Sequence, residues 1–92
     1  MFKTTSNKGF KLTFANGWTA SVQWGPGNYC DKRMNAYGYD APKKTEEWES
    51  ETAEVAAWDA SGKWFDFGGD TIQGYLSADD VATFINMIAM KG

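Results

Sequence analysis

The feature that most constrains the fold is a pair of period-two runs meeting at Asn16-Gly17. Phe10, Leu12 and Phe14 alternate with Lys11 and Thr13, and Trp18, Ala20, Val22 and Trp24 alternate with Thr19, Ser21 and Gln23. Successive strand side chains point to opposite faces, so each run presents one apolar and one polar face. Asn-Gly between two such runs is the strongest short-range hairpin signal, because a two-residue turn of this kind needs positive φ at both positions. The expectation is a hairpin over residues 9–24, with residues 1–8 frayed or forming at most a short edge strand.

Beyond the hairpin the periodicity stops until about residue 50. Such a length is unusual for a connection in a compact domain and points to a functional or mobile segment. Residues 25–39 are rich in Gly, Tyr and basic side chains, whereas 42–51 form a polar, acidic connector. Thr52-Ala-Glu-Val-Ala-Ala-Trp-Asp59 then predicts an internal strand, with Ala53, Val55 and Ala57 on one face. Turns are expected at 59–63 and at Gly68-Gly69-Asp70, a strand at 64–67 between them, and a last strand at 71–76. Gly74 suggests a bulge or a close backbone approach. Ser77-Ala-Asp-Asp80 reads as a capped helix start, and Val81, Phe84, Ile85 and Ile88 follow the i, i+3, i+4, i+7 rule. The whole is an α+β single domain, 1–92: an antiparallel sheet of about five strands with one C-terminal helix packed on one face.

Composition bounds what such a domain can do. At 92 residues, with 42% hydrophobic and 16% aromatic residues, the chain can build a core, though a small one. No run approaches the ~20 apolar residues of a membrane span, and the first residues lack the apolar stretch of a signal peptide, so the expected setting is cytoplasmic. A lone Cys30 and no His leave no ligand set for zinc within one chain. Nucleophilic catalysis would lack its usual base for the same reason. Glu46/Glu47, Asp79/Asp80 and Asp66/Asp70 are explained by solvation, helix capping and turns. The sequence thus predicts no enzyme, no cofactor and no metal.

The charges are unevenly divided. Residues 1–44 hold seven Lys and Arg against two Asp, and residues 45–92 hold two Lys against ten Asp and Glu. Within the basic half, Trp24, Tyr29, Tyr37 and Tyr39 supply flat faces close in sequence to Lys32 and Arg33. Stacking on an aromatic ring, with Lys or Arg on a phosphate, holds a nucleotide without a dedicated fold. Gly25, Gly27 and Asn28 add backbone and amide donors that could form a nest for an anion. The leading expectation is a non-enzymatic protein that binds a nucleotide-like small molecule at these nine residues. An acidic total of −3 argues against long nucleic acid.

The alternative is a protein–protein inhibitor acting through the same aromatic loop or through the acidic Glu46, Glu47, Glu49, Glu51 and Glu54 around Trp48. Tyr and Arg in loops are also the residues of protein hot spots. Trp58, on the face opposite Val55, is expected to need cover, which suggests a homo-oligomer, most simply a two-fold dimer.

The stretch Phe14-Ala-Asn-Gly-Trp-Thr-Ala-Ser-Val-Gln-Trp-Gly-Pro-Gly-Asn-Tyr-Cys30, with Ala53-Glu-Val-Ala-Ala-Trp-Asp59 and Phe84-Ile-Asn86, resembles a group of short proteins encoded by tailed bacteriophages. That resemblance carries no established activity and no functional residue. It implies a setting, the host cytoplasm during infection. There, small phage proteins sequester nucleotide immune signals or, like anti-CRISPR proteins, block defence complexes.

Overall fold

The computed structural model describes residues 1–4, 8–25 and 49–92. Five strands, β1 (Phe2–Thr4), β2 (Gly9–Thr13), β3 (Thr19–Gln23), β4 (Thr52–Trp58) and β5 (Gln73–Ser77), form one antiparallel sheet in sequential order. The helix α1 (Ala78–Ala89) follows β5 directly and lies over β3, β4 and β5. The expected α+β architecture is the observed one, the short edge strand allowed for residues 1–8 included, although the strand expected at 64–67 is not formed.

The N-terminal segment is a strand, with Phe2, Lys3 and Thr4 paired to Leu12, Lys11 and Phe10. The segment 64–67, expected as a strand, is not one. After the turn at Asp59, Trp64 makes an isolated bridge to Trp58, and the Phe65 N–H donates to the Ala57 carbonyl at 2.8 Å. The chain then leaves β4, because Phe65 and Phe67 pack with Phe84 of the helix at ring separations of 6.2 and 5.5 Å. Aromatic packing against the helix outweighs further ladder formation.

The apolar faces read from the alternation meet the helix. Ala20, Val22, Ala53, Val55, Ala57 and Leu76 of the sheet enclose Val81, Phe84 and Ile88 of α1, with Ile85 partly buried beside them. The sheet contributes three alanines to this contact, and small side chains let the helix axis come close. Full burial of a side chain the size of Ile88 stabilises by roughly 1.5–3 kcal/mol. Ser77 caps the helix as expected, its Oγ accepting the Asp80 N–H at 3.2 Å. Between the pairs Ala53–Leu76 and Val55–Gln73 the register shifts, so that Glu54 opposes both Gly74 and Tyr75. The bulge falls where Gly74 suggested it, yet the residue with positive φ is Tyr75, at 60°.

The hairpin turn is also one residue longer than the two-residue form. The Gly17 N–H donates to Phe14 O at 3.0 Å and the Phe14 N–H donates to Trp18 O at 2.8 Å, which makes Ala15-Asn16-Gly17 a three-residue loop. Gly17 alone takes positive φ, 87°, and Asn16 does not. This frees the Asn16 side chain for a different task. Its Oδ1 accepts the Trp18 N–H at 2.9 Å, while its Nδ2 donates to the carbonyls of Ile88, Ala89 and Lys91 at 2.9, 3.3 and 3.0 Å. The Ile88 and Ala89 carbonyls belong to the last turn of α1 and the Lys91 carbonyl lies just beyond it, and that turn has no basic residue to serve them. Lys91 adds a second tie, its Nζ lying 5.1 Å from the ring centroids of both Trp18 and Phe65.

Asn16→Ala removes the amide from both partners at once. Counting one bond to the Trp18 N–H and one to the helix end, at about 0.5–1.5 kcal/mol each, it is expected to cost about 1–3 kcal/mol, read as a thermal midpoint lower by roughly 4–24 °C. Asn16→Asp is expected to lower it further at neutral pH, because a carboxylate would then face the negative end of the helix.

Candidate functional site

At the end of the sheet remote from Asn16, a cleft of about 250 Å³ opens between the sheet and the first turns of α1. Phe10, Val22 and Trp24 form one wall, Ser50 to Ala53 a second, and Leu76, Ala78 and Val81 the third. The cleft exists because Ala53 and Ala78 are small where larger residues would close it, and because α1 lies over β3–β5 and leaves the β2 side open. Its lining is mostly apolar, and Glu51 is its one charged residue among the described residues.

Trp24 is fixed by its surroundings. Its N–H continues the ladder past β3 by donating to Lys8 O at 2.8 Å, and its indole meets Phe10 edge-on at a ring separation of 6.1 Å. The close pairing of Gly9 with Gln23, one residue earlier, sets this position. Gly9 has φ 149°, and a Cβ there would stand 2.0 Å from Val22 O and 2.9 Å from the Gln23 Cα. Only glycine allows that approach.

Of the nine expected ligand-binding residues, two fall within the described residues. Trp24 is half-buried in the cleft wall, and Gly25 is buried next to it. Gly27, Asn28, Tyr29, Lys32, Arg33, Tyr37 and Tyr39 lie outside them, as do Cys30, Glu46, Glu47 and Trp48. Sequence reasoning placed Trp24 at a site through its aromatic neighbours. It missed Phe10, Ala53 and Val81, which share the cleft with Trp24 but read individually as core.

The carboxylates have local explanations. Asp59 accepts from the Ser61 hydroxyl and from the Ser61 and Lys63 N–H groups, and these bonds, the Ser61 hydroxyl first, hold its carboxyl below the usual range. Asp66 is lowered likewise by the backbone N–H groups of Gly69 and Gly68. Both are anchors of their own turns. Glu49, Glu51, Asp79 and Asp80 are exposed around the cleft end of the molecule. No group of three metal-ligating side chains occurs among the described residues, and no helix there is long and apolar enough to cross a membrane.

Trp58 does not stand open on the far face of the sheet. Its ring lies 4.9 Å from that of Trp64, and the Lys11 ammonium lies 5.4 Å from its centroid. It is half-buried within one chain and supplies no argument for a second copy. Comparison with known proteins adds no relative: no protein family, curated protein or solved structure matches the chain.

Gly9→Ala is the test of how Trp24 is held. The added methyl must push two backbones apart, so a cost of about 2–4 kcal/mol is expected from the urea midpoint. A change in Trp fluorescence of the folded variant should accompany it, as Trp24 shifts against Phe10.

Proposed function

We propose that this chain is a non-enzymatic binding protein that captures a nucleotide-like anionic ligand through the Trp24 end of its sheet. The observation that carries the reading is Trp24 itself, an indole held against Phe10 at the mouth of an apolar cleft and leading straight into residues 25–39. A volume of about 250 Å³ lies below the roughly 300–1,000 Å³ of pockets that enclose whole drug-sized ligands. It suits one flat ring system. Glu51 at the rim disfavours a phosphate inside the cleft, so the phosphate is assigned to Lys32 and Arg33 of the loop, with Tyr29, Tyr37 and Tyr39 as further stacking faces. The phage resemblance supplies a matching role, in which the ligand is a host immune signalling nucleotide and capture silences it.

The exposed carboxylates favour a second reading. Glu49 and Glu51, with Asp79 and Asp80 beside Ala78, give an apolar cleft an acidic surround. That arrangement suits an apolar side chain flanked by Lys or Arg on a host defence protein, and charge complementarity of this kind sets encounter rate and specificity.

Isothermal calorimetry of the full chain against cyclic di- and trinucleotides and ADP-ribose derivatives separates the two. The nucleotide reading expects saturable heat with at least one of them, and at least a tenfold weaker response from Trp24→Leu. Absence of heat across the panel with folded protein contradicts it and leaves the protein-partner reading.

A further inference from the structure

The far face of the sheet, turned away from α1, carries the alternate residues Lys3, Lys11, Thr13, Thr19, Ser21 and Trp58. Lys11 stands on β2 and its ammonium reaches Trp58 on β4. Strands lie about 4.8 Å apart, so the Lys11–Trp58 contact spans β3, where the small polar Thr19 and Ser21 are buried. Thr19 is further satisfied by a 2.9 Å hydroxyl contact with Thr13. Trp64 then leans on Trp58 at 37° and remains 45% exposed, an unusual outlay of indole surface for a chain this small.

We propose that the Trp58–Trp64 pair and Lys11 form a shallow platform for a nucleobase carrying a phosphate, distinct from the cleft at Trp24. The exposed Trp64 ring offers a stacking face. The Lys11 ammonium lies within roughly 10 Å of it, since each sits about 5 Å from the Trp58 ring, and that is within the span of one nucleotide. Lys3 is the cross-strand partner of Lys11 on the same face, so two lysines gather on the β1–β2 side of the platform, while Glu54 of that face lies four residues before Trp58 along β4. The nearby acid, Asp59, spends its carboxylate on Ser61 and Lys63 within its own turn. An exposed indole amid lysines matches the pairing of stacking with phosphate contacts by which single nucleotides and single strands are held. A neutral or cationic apolar partner would leave those lysines uncompensated.

The test follows the five indole N–H resonances of the full chain while AMP, or separately a short oligothymidylate, is added at low salt. The platform predicts that the Trp58 and Trp64 resonances move with saturation. A response to AMP identifies a free nucleotide as sufficient, and a response to the oligomer alone identifies a strand as the source. Trp64→Ala should weaken binding by about 5- to 150-fold, the range expected for loss of one base stack. Lys11→Gln, which keeps most of the stem, should weaken it and flatten its salt dependence, and serves if Trp64→Ala does not fold. Shifts confined to Trp24 would overturn the platform and leave the cleft reading standing. Silence of Trp58 and Trp64 toward both ligands would overturn it as well, whatever calorimetry finds at the cleft.

Discussion

The side-chain amide of Asn16 holds the two halves of this domain together at one end. It closes its own turn through the Trp18 N–H and reaches across to three carbonyls at the end of α1, more than seventy residues away in sequence. The helix could cover the sheet on hydrophobic grounds alone, since Val81, Phe84 and Ile88 meet Ala20, Val55 and Ala57. Burial is non-directional, however, and does not fix where along the sheet the helix must stop. The Asn16 bonds do fix it. Lys91 over Trp18 and Phe65, and the Phe65–Phe67–Phe84 cluster, complete the closure around that point.

Closure at one end leaves the other open. The helix begins where β5 ends, so its N-terminal turns lie beside the start of β4 and the end of β3. There the side chains shrink to Ala53 and Ala78, and the cleft at Trp24 results. Trp24 and Ser50, which flank residues 25–49 in the sequence, both line this cleft, and the proposed site joins the cleft to that segment on this ground. The Trp58–Trp64 platform instead sits near the closed end, with Trp58 on β4 and Trp64 bridged to it, as a surface that must present a ring at a set angle requires.

Much of this was legible in the sequence, for a physical reason. The alternation of 10–14 and 18–24, the face of Ala53, Val55 and Ala57, and the stripe of Val81, Phe84 and Ile88 all reflect burial, and burial writes itself into periodicity. The Ser77 cap was legible for a similar reason, as a local hydrogen bond between residues three apart. The misses were long-range. Trp64-Phe-Asp-Phe67 alternates as a strand would, but Phe84, a residue of the helix, draws Phe65 and Phe67 away from the ladder. Asn16-Gly17 signalled a turn, but the carbonyls of Ile88, Ala89 and Lys91 that recruit the Asn16 amide have no local trace. The cleft was half legible: Trp24 announced itself through aromatic company, whereas a void between two alanines leaves no mark in a sequence.

Residue-resolved hydrogen exchange under native conditions tests the central claim most directly, that one side chain couples the hairpin turn to the helix end. In the parent chain, the amides of Phe14, Trp18, Met90 and Lys91, each hydrogen-bonded around this junction, should open together with a common free energy. Replacing Asn16 by Ala should speed exchange at both the turn and the helix end, while Val22 and Val55 in the middle of the sheet change only by the loss in global stability. Faster exchange at the turn with an unaltered helix end would contradict the account, and would leave hydrophobic burial as the sole tie between helix and sheet.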